Sequence, residues 1–334
     1  MLNKRFKYDG KPELKLNTVQ ESAKKEIEDK INEGIYSFEQ VNCALCGSTE
    51  AEILAEKDRY GLKCTTNICT NCGFVYTSPR MTQDSYSKFY DSEYRRLYVG
   101  TKNAEGFFFE DQMFRGQRIY NYVNSKIDLS EKKLKVVEIG CGAGGILEVF
   151  RSKGHEVLGF DLGDEYLNYG KDKYKLNLKK GEITNLEADF KPDLIIYSHV
   201  FEHMLDINNE ISLIKDKLVE KGLVYIEVPG LNYIHSTYDM NFLKFLQNAH
   251  TYHFTKKSLT TIFENNGFVK VSADDQIRSL FAVSDKDISQ QEFISEYSDV
   301  LKYLKKTERF RFFNFLRFKK LKWKIKKYLI KIAR

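Results

Sequence analysis

The stretch KVVEIGCGAGG, Lys135 to Gly145, decides the reading of this chain, together with the GFD that ends at Asp161. Val136, Val137 and Ile139 supply the β-branched residues of a buried strand. Gly140, Gly142 and Gly144 follow, where the backbone must turn sharply and pass close to a ligand without a Cβ in the way. Ile146, Leu147, Val149 and Phe150 then recur at helical spacing, so a helix starts here with its N-terminus facing the same ligand. Asp161 closes the next strand at about the 20-residue offset of a nucleotide-binding βαβ unit, where a carboxylate accepts hydrogen bonds from two ribose hydroxyls. The unit is expected to hold an adenosine-containing cofactor.

Glycine spacing alone does not name the cofactor, because Gly140, Gly142 and Gly145 also satisfy the dinucleotide pattern G-x-G-x-x-G. Glu138 separates the cases. A carboxylate at the strand's end repels a pyrophosphate and suits the cationic methionyl ammonium of S-adenosylmethionine. Downstream, Lys191 to Asp206 reads KPDLIIYSHVFEHMLD, a further strand running into a polar turn and a helix. EIGCGAG, GFD, DLIIYSHVFEH and GLVYIEVP, in that order, resemble the class I S-adenosylmethionine-dependent methyltransferases over roughly residues 130 to 270. The alternatives are a Rossmann-type dehydrogenase and a degenerate, non-catalytic copy of the fold.

Strands are expected over 135–139, 156–160, 176–180, 193–198, 223–228 and 268–272. Helices alternate with them, which gives an α/β, doubly wound, Rossmann-like sheet. The resemblance adds a seventh, antiparallel strand near Ser279 to Ser284. It also implies cofactor contacts from Glu138, Gly140, Gly142, Gly144, Asp161 and Leu162, and adenine contacts from Glu182 and Ile183 after the third strand. Ser198 and His199 end the fourth strand, at the carboxyl edge where such sheets bind ligands.

A second signal lies upstream. Cys43-x-x-Cys46 and Cys69-x-x-Cys72 are paired knuckles, each followed by a glycine, and together they supply the four thiolates of a tetrahedral Zn2+ site. Four thiolates leave no open position, so the zinc is expected to be structural. Cys64 is close enough to be an alternative ligand but has no partner at knuckle spacing, and Cys141 reads as small packing in the glycine turn.

The length of 334 residues suggests about two domains. No stretch has a signal-peptide layout or is long and apolar enough to span a bilayer, and six cysteines without such a signal argue for reduced thiols or metal. The expected location is cytoplasmic. The expected organisation is a loosely docked arm over 1–40 with a helix from Thr18 to Asn32, the zinc module over 41–78, a helical linker or lid over 79–128, the methyltransferase domain over 129–290 and a basic tail over 291–334. The net charge of +6 is uneven: residues 301–334 carry fourteen Lys or Arg and one Glu, so the rest of the chain is acidic. An acidic body argues against a nucleic-acid platform. In the tail, Phe318, Leu321, Ile325, Tyr328, Leu329 and Ile332 recur at helical spacing among lysines. That is the pattern of a basic amphipathic helix lying on an anionic membrane surface, and it makes peripheral attachment to the cytoplasmic face an expectation.

The sulfonium already activates the methyl group, so the protein must align an acceptor and, for a hydroxyl, take its proton. His199, His203, His235, His250 and His253 all follow the fourth and fifth strands, on the acceptor's side. His253 and then His203 are the first candidates for the base. The cysteine module, the Y-x-x-x-Y-R-R-L-Y stretch and the methyltransferase motifs together resemble bacterial sugar methyltransferases of surface polysaccharide biosynthesis. The short chain after residue 275 departs from the C-methyltransferase branch, so the resemblance implies O-methylation of a nucleotide sugar or lipid-linked glycan. The rival readings are an RNA methyltransferase and a zinc-containing scaffold. Sequence leaves the oligomeric state open.

Overall fold

The computed structural model describes residues 1–100, 105–129, 132–284 and 294–311. Helix α1 (Thr18–Asn32) covers the residues expected of it and is closed by a capping box between Asn17 and Gln20. The segment before it is not a loosely docked arm. Phe6 is fully buried, its ring 5.8 Å from that of Phe242, and Arg5 bonds Glu308 and Asn241. An apolar anchor and a charged fork outweigh the polar composition on which the expectation rested.

Five short strands follow: β1 (Phe38–Glu39), β2 (Ala51–Lys57), β3 (Lys63–Cys69), β4 (Val75–Thr77) and β5 (Arg80–Met81). β1 pairs with β5, and β2, β3 and β4 form an antiparallel meander. Helix α2 (Gln83–Phe89) passes through a π-helical turn, Tyr90–Tyr94, into α3 (Arg95–Tyr98), and α4 (Glu105–Asn124) leads to the central sheet.

The rest of the chain alternates. In order come β6 (Lys135–Ile139), α5 (Gly145–Ser152), β7 (Glu156–Asp161), α6 (Asp164–Tyr174), β8 (Leu178–Lys180), β9 (Leu194–Ser198), α7 (Ile207–Lys217) and β10 (Leu223–Glu227). After them come α8 (Ile234–Thr237), α9 (Phe242–Phe245), β11 (Tyr252–His253), α10 (Lys256–Asn265), β12 (Phe268–Ala273), β13 (Arg278–Val283) and α11 (Tyr297–Phe310). The central sheet has the order β12-β13-β10-β9-β6-β7-β8, parallel except where β13 runs antiparallel to both neighbours. β9 is buried throughout, as a central parallel strand covered on both faces must be.

β11 joins a different sheet. It pairs antiparallel with β4, Tyr252 opposite Tyr76 and His253 opposite Val75, so the meander gains a fourth strand from the far end of the chain. Cys43, Cys69 and Cys72 lie in the same apolar cluster as Ile195, Phe201 and Phe254. The cysteine segment and the α/β body therefore share a core. The amphipathic pattern from Phe318 to Ile332 falls outside the described residues.

Candidate cofactor and acceptor site

β6 and β9 are neighbours, and the chain leaves them in opposite directions, toward β7 and toward β10. Their carboxyl ends bracket the topological switch point where open α/β sheets bind ligands. The glycine turn after β6 meets the loop after β9 there: a Cβ on Gly140, whose φ is +69°, would come within 2.3 Å of Val200. Asp161, at the end of β7, ties the turn down. Its Oδ2 accepts from the Gly142 N–H at 2.8 Å and its Oδ1 from the Gly163 N–H at 2.7 Å, with Arg95 Nη2 3.6 Å away. Lone pairs on both oxygens remain for a ribose diol.

Glu138 is buried beneath the turn. Its Oε2 has no hydrogen-bond partner among the described residues, and burial holds its carboxyl well above the usual carboxylate range, against the pull of Arg115. A cationic ammonium would relieve this, so the cradle and the unpartnered acid fit S-adenosylmethionine. Ser198 at the end of β9 also carries a buried, unpartnered Oγ. His199 takes a left-handed φ of +58°, donates its N–H to Glu227 O at 2.7 Å and leaves its side chain exposed. Leu162 is exposed beside Asp161. Glu182 is exposed and caps the turn Ile183–Asn185, while Ile183 is buried.

Sequence reading missed the residues that cover this cradle. Gln112 of α4 donates to Cys141 O at 2.8 Å and accepts from the Gly145 N–H at 3.3 Å. Phe108 stands where a Gly142 side chain would go: a Cβ there would come within 2.7 Å of its ring. Arg95 lies over the ring of Tyr166 at 3.9 Å. Helical periodicity marks α4 as amphipathic but says nothing of which turn it caps.

A second polar cluster centres on Glu202, in the turn Phe201–His203 after β9. Both its carboxylate oxygens are buried with no hydrogen-bond partner among the described residues. Its Oε1 lies 3.8 Å from His199 Nδ1, 3.9 Å from His203 Nε2 and 3.9 Å from His250 Nε2. His203 Nδ1 is fixed from behind, 2.7 Å from the Tyr90 hydroxyl and 3.0 Å from Ala249 O. Burial pushes His203 below the ordinary histidine range, with Glu202 opposing, and pushes His250 well below it. The donor atoms of Glu202, His203 and His250 fall within 4.8 Å of one another, close enough to hold a cation. Tyr90, Tyr94 and Tyr98 stack beside this cluster, with successive centroids 4.2 Å and 5.4 Å apart.

His253 does not join the Glu202 group. It sits in β11 at 2% exposure with both ring nitrogens unpartnered, its ring 5.3 Å from Phe245, and burial pushes it down to about 3. The turn before β11 explains the split. His250 precedes β11 in the turn that faces Glu202, whereas His253 points into the apolar layer. His235 lies elsewhere, against the Tyr303 hydroxyl at 3.2 Å.

The four knuckle cysteines converge. Their sulfurs lie within 4.8 Å of one another, Cys43 to Cys72 at 3.4 Å and Cys46 to Cys69 at 3.5 Å. The two knuckles repeat one geometry, with the Gly47 N–H on Cys43 O and the Gly73 N–H on Cys69 O, each at 2.8 Å. Four soft donors at tetrahedral spacing fit Zn2+. Cys64 lies outside the group.

Residues 114–273 match the family model of a methyltransferase domain. The chain is 26% identical over 206 residues to the ubiquinone biosynthesis O-methyltransferase of Rickettsia bellii, covering 54% of this chain and 83% of that protein. It is 26% identical over 147 residues to the C-methyltransferase NovU of Streptomyces niveus, covering 42% of this chain and 34% of that protein. Among solved structures, a SAM-dependent methyltransferase from Archaeoglobus fulgidus aligns with 23% identity and a TM-score of 0.40, over 48% of this chain and 73% of that one. With the glycine turn and Asp161 in place at the switch point of the sheet, the chain is an S-adenosylmethionine-dependent methyltransferase, its methyltransferase domain matched over residues 114–273.

Proposed function

We propose that this methyltransferase methylates a hydroxyl oxygen of a sugar, carried as a nucleotide sugar or a lipid-linked glycan in bacterial surface polysaccharide biosynthesis. The observation that carries the reading is the buried, unpartnered Glu202 ringed by His199, His203 and His250 at the carboxyl edge of the cofactor-binding sheet. S-adenosylmethionine supplies an activated methyl group. The chain's own residues then have two tasks. Glu138, the glycine turn and Asp161 hold the donor. His203 and His250, neutral because they are buried, accept a hydroxyl proton, and Glu202 stabilises the imidazolium that results. The stacked Tyr90, Tyr94 and Tyr98 offer an apolar wall against which the carbon face of a pyranose packs. The four cysteines hold a structural Zn2+.

The test begins with calorimetric titration of the zinc-loaded protein with S-adenosylmethionine, with NAD in parallel. Nucleotide sugars and lipid-linked glycans are then screened with methyl-labelled donor, and the product's methyl carbon is read by NMR. An O-methyl signal supports the reading. A C-methyl signal would move the protein to the chemistry named for the Streptomyces niveus relative. Methylation of RNA alone, with no sugar modified, would replace the sugar reading altogether.

A further inference from the structure

His250 owes its place to a part of the chain almost two hundred residues earlier, and the backbone of its loop shows how. Leu246 O accepts from the Arg59 N–H at 3.0 Å, and the Asn248 N–H donates to Asp58 Oδ2 at 3.0 Å. Ala249 O accepts from the Tyr86 hydroxyl at 2.6 Å, and His250 O accepts from Thr77 Oγ1 at 3.0 Å. Thr251 O accepts from the Thr77 N–H at 2.9 Å, after which β11 pairs with β4. On the opposite side, the Thr251 N–H and hydroxyl both donate to Glu202 O, at 2.9 and 3.1 Å. The loop is clamped between the cysteine segment and the Glu202 turn, which sets the 3.9 Å approach of His250 to Glu202.

One side chain in this clamp is not backbone-like. Asp58, between β2 and β3, is fully buried. Its Oδ1 accepts from the N–H groups of Tyr60 and Leu62, at 2.9 and 3.0 Å, and closes its own hairpin. Its Oδ2 is left for the Asn248 N–H alone. Three backbone donors converge on one group, and the ionised carboxylate accepts them with both of its ends, against the burial that raises its carboxyl to about 6. An asparagine has one oxygen. Keeping the two hairpin bonds would turn its amide NH2 against the Asn248 N–H, donor against donor, so the hairpin holds and the loop is released.

We propose that Asp58 is a positioning residue for the acceptor side, through which the cysteine segment locks the 246–250 loop and aims His250 at Glu202. The proposal rests on the reading above that the acceptor meets this cluster. It gives the cysteine segment a role in methyl transfer that needs no direct contact with the acceptor.

The experiment compares Asp58→Asn and Thr77→Val with the parent, all zinc-loaded. Thr77→Val removes the hydroxyl bond to His250 O, along with the hydroxyl's bond to the Cys64 thiol. In Asp58→Asn, amide exchange over residues 248–253 is expected to accelerate at least about tenfold, as loss of a charge-assisted bond implies. The Tyr60 and Leu62 amides should keep their protection, and S-adenosylmethionine affinity should stay within about twofold. The His250 ring, followed by NMR, should titrate closer to the free-histidine value of about 6.5 as the loop opens to water. Thr77→Val should show the same changes, smaller. Unchanged loop exchange and an unchanged His250 titration in Asp58→Asn would overturn the proposal, as would loss of hairpin and loop protection together. The site reading fails separately: if His250→Gln turns over a screened sugar acceptor at the parent rate, His250 does not serve the acceptor and positioning it has no purpose.

Discussion

His253 and His250 stand three residues apart and have opposite fates. His250 faces a carboxylate, whereas His253 is enclosed by aromatic rings with both nitrogens unpartnered. In the folded protein burial holds His253 down to about 3, so the fold binds it neutral. Unfolding returns it to about 6.5, so between those values the unfolded chain binds the extra proton. Its contribution is therefore complete above about pH 6.5 and is lost as pH falls below that. His253→Phe should keep or raise the melting temperature at pH 7.5, since a buried unpaired polar ring is exchanged for an apolar one beside Phe245. It should also reduce the fall in melting temperature between pH 6.5 and 4.5, measured by parallel thermal scans. Some slope will persist, because His203 and His250 are also depressed by burial. Identical slopes for the two proteins would show that His253 is not held neutral. Sequence pointed to this residue because histidines after the fourth and fifth strands crowd the acceptor edge. Which of them faces the edge depends on the turn before β11, and a two-residue strand leaves no periodicity to read.

At the level of elements, legibility followed the length of the pattern. The run Lys135–Ile139 forms a strand over the residues expected, and Arg278–Val283 runs antiparallel close to the expected place. The expected third strand, 176–180, is shorter, Leu178–Lys180, because Leu176 is used to pack the end of α6. The sheet β11-β4-β3-β2 was illegible: its members come from opposite ends of the chain, and no local rule links Val75 to His253. That sheet decides what zinc removal should do. Cys69 ends β3, and Phe74, just after Cys72, stacks on Tyr252 of β11 at 5.7 Å. Chelation of the metal should release about one Zn2+ per chain and lower the melting temperature. Amide protection should fall in β3, β4 and β11 together, while β6 and β7 keep theirs and S-adenosylmethionine still binds. Release of the metal with β11 protection intact would show that the knuckles stand apart from the histidine strand. Protein purified without metal, yet protected throughout, would remove zinc from the account.

At the scale of the whole molecule the charge is unequal, a basic C-terminal end following an acidic body. No helix among the described residues is long and apolar enough to cross a membrane. The membrane-surface expectation for the basic residues of the C-terminal end rests on their sequence pattern alone. The fold also says where to cut. Ending the chain after Tyr303 would remove Leu304, fully buried, and Glu308, whose carboxylate takes two bonds from Arg5 and one from the Phe242 N–H at 3.2 Å. Such a truncation would loosen the packing of Phe6 and α9 and confuse lost binding with lost folding. Ending after Arg311 keeps those contacts and removes only the residues that follow. The shortened protein should keep its melting temperature and its S-adenosylmethionine affinity. The full chain should bind vesicles containing phosphatidylglycerol at low salt and lose affinity as salt rises, at about 1 kcal/mol per lysine near the surface. The protein ending at Arg311 should not sediment with those vesicles. If both proteins sediment equally, the lysines from Lys319 onward serve something other than a membrane, and a lipid-linked acceptor loses its independent support. If only the full chain sediments, the acidic body is held at the surface where such acceptors are assembled, and the screen should begin with them.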